Sequence, residues 1–479
     1  MPTDARGAPR RRAIHFVSLG CPKNRVDTEA MAGIARAEGY ELAASPDQAE
    51  VLVVNTCGFI DPAKEESVDT ILELAEVKAR RPGTRLVVTG CLSQRHGDDL
   101  AAELPEVDHF LGSADVPRFR EVLAGRAPRM AVSELDRRSY LVDHEAPRLR
   151  DGPRHFAYVK IAEGCDRPCG FCIIPKLRGP QRSRTIPSVV EEVARLADEG
   201  TREICLIAQD LTRYGVDLEP AVGLEHLLDA LVRIDGIAWI RLHYAYPSAV
   251  TPELARRIAG YDKVASYLDV PIQHIDDEVL RRMRRGYGER RVRRMLDDLR
   301  AASEDAGRRI FLRTTLLVGH PGEDEDAFAR LRDFVAEGHF DHLGVFPWSR
   351  EAGTPSAMLP SRVPDDEARA RADEILAVQA QVSADRQREF VGRVLEVVVD
   401  GPSETSEFVL EGRHEGQAPE IDGKVLLVDG TAEPGAVVRA RVVAADTYDL
   451  VASLDLERPV EVAAESESDD EGGAFAPIT

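Results

Sequence analysis

Three closely spaced cysteines, Cys165, Cys169 and Cys172, form a Cys-x3-Cys-x2-Cys triplet in the middle of the chain. Three thiolates on one short loop can hold three irons of a cubane iron–sulfur cluster and leave the fourth iron open. A small molecule can bind at the open iron and receive an electron. Soft thiolate ligands suit iron–sulfur clusters or zinc, but structural zinc normally takes four protein ligands. The spacing therefore favours a cluster, with zinc and unrelated thiols as the alternatives.

A second set of three cysteines lies nearer the start of the chain. Cys21, Cys57 and Cys91 each follow a short, β-branched apolar run, at intervals of 36 and 34 residues. These intervals are close to the length of a βαβ unit, which predicts parallel strands whose carboxyl ends share one edge. We therefore expect the three thiols at one rim, as ligands of a second cluster. Buried cysteines that end three strands by chance are the alternative.

Helical segments fill the gaps between these strands and predict a Rossmann-like parallel sheet. The clearest helix begins at Asp61, a suitable N-cap, with Pro62 at its first helical position. Apolar residues at i, i+3, i+4 and i+7 predict that one stripe of this helix is buried. The stripe consists of Val68, Ile71, Leu72 and Ala75.

Six more strand-like runs, separated by helical patterns, predict a partial (β/α)6 TIM-type barrel with its active face at the strand carboxyl ends. The cysteine triplet directly follows the first of these strands. Cys205 falls in mid-strand and is expected in the core, and His274 and His320 are expected to be structural. The predicted strands are 157–161, 203–208, 238–243, 266–270, 311–318 and 342–346, and the predicted helices include 188–199, 252–259 and 324–338.

Four strand-like runs separated by Gly, Pro and Asp turns follow and predict a small antiparallel barrel. Residues 386–453 carry thirteen acidic and seven basic side chains, a net charge of −6. RNA binding depends on Lys and Arg neutralising phosphates, so this charge favours a basic protein as the partner. A local basic patch concealed by the overall charge is the alternative.

Composition restricts the class of protein. The 479 residues are 43% hydrophobic and 30% charged, with a formal net charge of −22. These values are typical of a soluble multidomain protein and argue against general affinity for nucleic acid. No apolar run reaches the roughly 18 residues that span a bilayer, so no membrane partner is expected. Seven cysteines, mostly placed as ligands, fit the reducing cytoplasm, and tails 1–11 and 457–479 are predicted to be disordered.

The triplet, with Phe171 just before its third cysteine, resembles the radical S-adenosylmethionine (SAM) superfamily. In that superfamily SAM binds at the open iron of a four-iron–four-sulfur cluster, and an electron from the reduced cluster splits SAM to give a 5′-deoxyadenosyl radical. Segments 178–184, 208–210, 269–274 and 318–323 also match the superfamily and one of its branches. From the triplet loop and these segments we expect contacts to SAM from Phe171, Arg184, Gln209 and Gly319.

The whole arrangement resembles the methylthiotransferase family over about residues 12–455. The last barrel resembles a TRAM domain, which completes the family's domain order. The resemblance implies that Cys21, Cys57 and Cys91 bind an auxiliary four-iron–four-sulfur cluster, and that the triplet binds the SAM-cleaving cluster. The expected domains are 12–125 for the auxiliary cluster, a linker at 126–150, a radical SAM core at 151–385 and a TRAM domain at 386–456.

Three segments, 171–179, 244–248 and 346–355, resemble the RimO-type branch, which modifies ribosomal protein S twelve. The tRNA-adenosine branch usually has tyrosines where this chain has Phe171 and Lys176, and Trp348 replaces a more usual tyrosine. The resemblance implies methylthiolation of the β-carbon of an aspartate in the free or ribosome-bound protein. Two SAM molecules would be consumed per product, one for the radical and one for the methyl group, and an electron donor and a sulfur donor are also needed. The alternatives are a tRNA methylthiotransferase and a non-catalytic iron–sulfur or zinc RNA-binding module.

Overall fold

The computed structural model describes residues 12–404 and 406–458, without the side chain of Glu407. Contacts within the chain define two compact units, Met1–Ser383 with Glu415–Asp422, and Ala384–His414 with Gly423–Thr479. All seven cysteines belong to the first unit. The tails predicted to be disordered lie outside the described residues, apart from Glu457 and Arg458.

The first domain of this unit is a six-stranded parallel sheet with helices packed on it. The strand order is β2-β1-β3-β4-β5-β6, and every residue of β3 is buried, as expected of a central strand that is covered on both faces. The predicted Rossmann-like sheet is therefore confirmed. Its elements are β1 (Arg12–Ser18), α1 (Pro22–Ala37), β2 (Tyr40–Leu42), β3 (Val51–Thr56), α2 (Asp61–Arg80), β4 (Arg85–Gly90), α3 (Cys91–Glu103), β5 (His109–Leu111), α4 (Phe119–Leu123) and β6 (Met130–Ala131).

Helix α2 begins at Asp61 with Pro62 in its first turn, and Ile60 is the N-cap. The predicted buried stripe was partly wrong, because Leu72 is 45% exposed. Leu72 lies about 100° around the helix from the buried Ile71, which takes it off the packed face. The residues that α2 does bury are Ser67, Ile71, Leu74, Ala75 and Val77.

The second domain contains a six-stranded parallel sheet in the order β7-β10-β11-β12-β13-β14, with helices between the strands. The predicted partial barrel is confirmed, and the small strand pair β8 and β9 was not predicted. Its elements are β7 (Phe156–Lys160), β8 (Ala162–Glu163), α5 (Ile174–Arg178), β9 (Arg182–Ser183), α6 (Ile186–Asp198), β10 (Glu203–Ile207), α7 (Leu224–Leu231), β11 (Trp239–Leu242), α8 (Pro252–Gly260), β12 (Val264–Asp269), α9 (Asp277–Arg282), α10 (Glu289–Ala306), β13 (Phe311–Val318), α11 (Glu325–Ala336), β14 (His342–Pro347) and α12 (Asp365–Arg388).

One hydrophobic core joins the two domains of the first unit. It includes Met31 and Val53 from the first domain and Tyr158, Cys205 and Ile207 from strands β7 and β10. Cys205 is fully buried there, as predicted. This shared core fixes the two sheets against each other, so the carboxyl ends of their strands can face a common space.

An eight-residue segment, Glu415–Asp422, also belongs to the first unit, and we call it the inserted segment. It hydrogen-bonds to side chains on strands of the second domain. Tyr267 donates to Asp422 at 2.9 Å, and Arg241 donates to the carbonyl oxygen of Glu415 at 2.7 Å. The inserted segment is therefore part of the packing of this domain, although it lies far along the chain.

The second unit contains a closed barrel in the order β15-β16-β17-β19-β18. Its strands are β15 (Val394–Ser403), β16 (Ser406–Arg413), β17 (Val425–Val428), β18 (Val437–Ala445) and β19 (Leu450–Ser453). The fifth strand, β19, was not predicted, and its pairing with β17 is parallel rather than antiparallel. A ring with an odd number of strands cannot alternate in direction throughout, so one parallel pair is unavoidable.

None of the helices in the described part of the chain combines the length and apolar character that crossing a membrane requires.

Candidate active site: a cavity lined by two cysteine sets

The cysteines of the first domain lie at the ends of neighbouring strands. Cys21 follows β1 and precedes α1, Cys57 directly follows β3, and Cys91 is the first residue of α3 after β4. Because β1, β3 and β4 are adjacent and parallel, the three thiols lie along one edge of the sheet. Gly20 makes this possible: its φ is +86°, and a Cβ there would lie 2.9 Å from Cys57 Cβ.

The triplet lies on the loop between β8 and α5, which other parts of the second domain hold in place. The amide of Cys165 donates to the carbonyl oxygen of Gly179 at 3.0 Å, and the amide of Gly170 donates to that of Met283 at 2.8 Å. At Gly164, with φ +82°, a Cβ would lie 2.1 Å from the carbonyl oxygen of Pro180. The loop is therefore packed too closely to accept a larger residue at this position.

Both cysteine sets line the same cavity, which has a volume of about 450 Å³. Its lining also includes apolar side chains, among them Phe59, Phe171 and Phe346. Within the described ranges, no three Cys, His, Asp or Glu side chains are grouped to hold a single metal ion. A cubane cluster takes one thiolate per iron, so its ligands do not converge on one ion.

Two buried arginines donate hydrogen bonds to cysteine sulfur atoms. Arg178 Nε lies 3.2 Å from Cys91 Sγ, and Arg285 Nη1 lies 3.3 Å from Cys169 Sγ. The segment around Arg178 was noted in the sequence, whereas Arg285 was missed. No local pattern identifies Arg285, because it reaches its cysteine only in the folded domain. The two guanidinium groups supply positive charge next to the sulfur atoms that would carry negative charge as thiolates.

Burial opposes ionisation of the thiols when no metal is bound. It raises the pKa of the Cys91 and Cys172 thiols to about 12, and that of the Cys165 thiol to about 11. Arg178 opposes the shift at Cys91, and Arg285 opposes it at Cys172. Thiolates in this cavity therefore need additional positive charge, which coordinated iron would provide.

A buried charge network lies beside the cavity. Lys160 Nζ contacts Asp27 at 2.5 Å and Glu163 at 2.6 Å, and Arg178 Nη1 contacts Asp27 at 2.7 Å. Burial opposes ionisation of Glu163, but Lys160 and Arg178 outweigh it and hold the pKa of Glu163 far below its usual range. Residues from both domains are thereby linked next to Cys91.

Lys23 and Tyr244 form a second polar pair in the cavity lining. Lys23 Nζ lies 3.2 Å from the centroid of the Tyr244 ring, and the Tyr244 amide donates to Asp269 at 3.1 Å. Burial lowers the pKa of Lys23 and raises that of Asp269 to about 6. Sequence reasoning missed Lys23, although its position two residues after Cys21 was a usable signal.

The residues predicted to contact SAM divide into two groups. Phe171 and Gln209 line the cavity, and Gln209 donates to the carboxylate of Glu163. Arg184 and Gly319 are not among the lining residues. The Arg184 guanidinium is bound by Glu192 and Ser188, and the Gly319 amide donates to Glu323 at 2.9 Å. The structure gives no support to SAM contacts from these two, because their polar groups are already engaged.

His274 and His320 are fully buried and are not part of the cavity lining. Burial lowers the pKa of His274 to about 3 and that of His320 to about 4. Both rings therefore stay neutral at physiological pH. Trp348, the departure noted in the sequence, is buried in a small apolar cluster against which Phe171 packs.

Comparison with protein families assigns three parts of the chain. Residues 13–112 match the Uncharacterized protein family UPF0004, residues 159–335 match the Radical SAM superfamily, and residues 391–454 match the TRAM domain. The radical SAM methyltransferase TsrM from Kitasatospora setae, solved with cobalamin and a [4Fe-4S] cluster bound, has a similar fold. The TM-score is 0.53 at 15% sequence identity, over 73% of this chain and 74% of that chain.

The fold and the cavity thus define a radical SAM protein with a second set of three cysteines. A ribosomal protein uS12 methylthiotransferase RimO from Anaeromyxobacter sp. (strain Fw109-5) is 51% identical over 91% of this chain and 92% of its own length. The enzyme of the same name from Myxococcus xanthus (strain DK1622) is 47% identical over 94% and 92%, respectively. The chain belongs to this RimO family of uS12 methylthiotransferases.

Proposed function

We propose that the chain catalyses methylthiolation of the β-carbon of an aspartate in ribosomal protein uS12, with two SAM molecules consumed per product. The observation that carries the proposal is the single cavity lined by both cysteine sets. Sulfur insertion requires that the carbon to be activated and the sulfur to be delivered meet in one place. Relatives that are 44–51% identical over more than 90% of this chain carry the name of this activity.

The residues of the cavity fit two iron–sulfur clusters and SAM. Cys165, Cys169 and Cys172 would hold the cluster that binds SAM, and Cys21, Cys57 and Cys91 would hold the auxiliary cluster. When bound, these groups supply hydrogen-atom abstraction from carbon and a source of sulfur. Two features support this assignment: the donors are all thiols, and a buried arginine donates to one sulfur of each set.

The protein's own side chains would position the substrate in the cavity and exclude water from it. A carbon next to a carboxylate is a very weak acid, so a general base that operates near neutral pH removes its proton poorly. Hydrogen-atom abstraction avoids this problem but requires a site without competing reactants. The apolar side chains of the lining, including Phe59, Phe171, Ile174, Leu177 and Phe346, would keep water out.

The partners follow from the same assignment. The basic substrate protein would dock on the acidic C-terminal barrel, whose residues 386–414 and 423–453 carry ten acidic and seven basic side chains, a net charge of −3. A reducing electron donor and a sulfur donor would complete the reaction in the cytoplasm. The tRNA reading is disfavoured by the charge of the barrel and by the names of the relatives. Mass analysis of uS12 and of tRNA nucleosides from a deletion strain separates the two substrates.

Replacement of one triplet cysteine tests whether the triplet is needed for SAM cleavage and the other cysteine set for sulfur delivery. In Cys169→Ala, 5′-deoxyadenosine formation from SAM should fall to background, while about half of the bound iron and the absorbance of the auxiliary cluster remain. The matched variant Cys57→Ala should retain SAM cleavage but lose methylthiolation of a uS12 peptide. Undiminished SAM cleavage in Cys169→Ala would refute the role given to the triplet. If the reduced wild-type protein does not consume SAM, the chain is a non-catalytic iron–sulfur or zinc protein.

A further inference from the structure

Lys23 is a buried lysine whose ammonium group makes no direct ion pair in the described part of the chain, although Cys21, Glu163 and Asp269 act on its charge from farther away. Lys23 is 7% exposed, and none of the described carboxylates lies within 4.0 Å of its ammonium group. Lys160, which is also buried, contacts Asp27 at 2.5 Å and Glu163 at 2.6 Å. Desolvation of a charge is costly, so buried cations are normally paired. The anion that completes the Lys23 site should therefore come from a molecule that enters the cavity.

The Tyr244 ring holds this ammonium group in place, with Nζ 3.2 Å from its centroid. Tyr244 has a φ of +68°, a left-handed conformation that is rare for an aromatic residue. Its amide donates to Asp269 at 3.1 Å, and its carbonyl oxygen accepts from the Leu211 amide at 3.1 Å. Strained backbone fixed from both sides is typical of functional sites. The cation is positioned rather than free to swing into solvent.

Two carboxylates would enter the cavity during the proposed reaction, that of SAM and that of the substrate aspartate. Lys23 lies two residues after Cys21, on the first turn of α1, whereas Phe171 and Gln209 belong to the domain of the triplet. The aspartate carboxylate is bonded directly to the carbon that receives sulfur. It must therefore lie beside the cysteine set that would deliver sulfur, and Lys23 is on that side.

We infer that Lys23 binds the side-chain carboxylate of the substrate aspartate and determines the specificity of the enzyme for an acidic residue. This inference rests on the proposed function and goes beyond it by assigning the group that recognises the reacting residue. A bound ammonium–carboxylate pair orients the adjacent β-carbon and disfavours substrates without a negative charge, such as a carboxamide or a neutral nucleobase.

The test compares two synthetic uS12 peptides, one with the target aspartate and one with asparagine in its place. With the wild-type enzyme, KM for the aspartate peptide should be about 10-fold to 150-fold lower, the range given by one charge-assisted hydrogen bond. In Lys23→Met this preference should disappear, while the iron content stays at the wild-type level. Lys78→Met is the matched control, because Lys78 pairs with Asp108 at 2.6 Å in the same domain, outside the cavity lining. The control should keep the preference.

Three results would overturn the inference. Equal KM values for the two peptides with the wild-type enzyme would do so without any variant. An unchanged preference for the aspartate peptide in Lys23→Met would show that another group recognises the substrate carboxylate. Loss of half of the iron in Lys23→Met would assign Lys23 to assembly of the auxiliary cluster instead. Failure of the proposed function looks different, since the wild-type enzyme would then leave the aspartate peptide unmodified at every concentration.

Discussion

At the scale of single residues, Arg178 makes four contacts that connect the two domains around the cavity. It donates to Cys91 Sγ at 3.2 Å, to Asp27 at 2.7 Å and to Glu163 at 3.2 Å, and it also donates to Asn24. The two carboxylates fix the guanidinium, so it cannot turn away from the sulfur. A fixed cation beside a cysteine ligand stabilises the reduced, more negative state of a cluster.

Arg178→Gln should therefore make the reduction potential of the auxiliary cluster more negative. The shift should be about 60–130 mV, because a hydrogen bond to a charged group contributes about 1.5–3 kcal/mol and 59 mV corresponds to about 1.4 kcal/mol for one electron. Redox titration followed by electron paramagnetic resonance measures it. The triplet cluster in the same sample is the internal control and should keep its potential. Equal shifts in both clusters would show a general change of the fold.

The residues that could and could not be predicted from the sequence differ in a physical way. Both cysteine sets were visible: the triplet through its close spacing on one loop, and the first set because its intervals follow the repeat of strands and helices along the chain. Arg178 and Arg285 contact partners that lie far away in the sequence, and no local spacing predicts those contacts, whereas the position of Lys23 two residues after Cys21 was a usable signal. The SAM contacts expected of Arg184 and Gly319 stay a prediction, and neither residue is part of the cavity lining. A segment that matches a superfamily can still use its polar groups for internal packing.

At the scale of elements, strands β10 and β11 carry an ion pair in the interior of the second domain. Arg241 Nε donates to Glu203 at 2.6 Å, and both side chains are fully buried. Arg241 also lies 4.8 Å from the centroid of the Tyr267 ring on β12. The pair therefore joins neighbouring strands where water cannot replace either partner.

Arg241→Met should lower the free energy of unfolding by about 3–5 kcal/mol, since it removes the buried guanidinium that donates to the Glu203 carboxylate at 2.6 Å. Urea denaturation at pH 7 measures the loss. The matched control is Arg256→Met, which removes an arginine that is 60% exposed and paired with Glu253 on helix α8. It should change stability by less than about 1 kcal/mol. If both variants lose the same amount, burial does not determine the strength of the Arg241 pair.

The elements themselves were predictable where local signals agree with tertiary packing. Strand β3 begins with four apolar residues, 51–54, and all six of its residues are buried. The short β19 escaped prediction because Leu450–Ser453 has only four residues and depends on pairing with β17 and β18. The exposure of Leu72 shows the same limit, because the face that a helix buries is decided by what it packs against.

At the scale of the whole molecule, the inserted segment packs in the first unit although both of its neighbouring stretches of chain belong to the second unit. The chain leaves the first unit after Ser383, returns for Glu415–Asp422 and then leaves it again. The returning residues contact strands β11, β12, β13 and β14 through Arg241, Tyr267, Arg313 and His342. No periodicity in the sequence predicts that the segment packs in the first unit, since the segment forms no helix or strand of its own.

Asp422 is the most connected residue of this segment, and it should make the first unit sensitive to acid. Its side chain is fully buried and accepts hydrogen bonds from Tyr267 at 2.9 Å, from the Ala418 amide at 2.8 Å and from Arg313. Burial opposes ionisation, but His342 and Arg313 outweigh it and lower the pKa of Asp422. A carboxyl group with a pKa lowered by folding stabilises the protein above its unfolded pKa, about 3.9, and that stabilisation disappears as the pH falls below it.

Asp422→Asn should therefore destabilise the protein by about 2 kcal/mol at pH 5 and by progressively less as the pH is lowered towards 3. Urea denaturation of both proteins at pH 5, 4 and 3 measures the difference, with fluorescence of Trp239 and Trp348, both in the first unit, as the probe. Asp229→Asn is the matched control. Its carboxyl pKa is also lowered, to about 2, mainly by Arg257, but its side chain is 32% exposed, and solvent screens its contribution. The Asp422 difference should be the larger at pH 5 and should vanish at low pH. A difference that stays constant across this range would mean that Asp422 stabilises the unit through its shape and neutral hydrogen bonds, not through its charge.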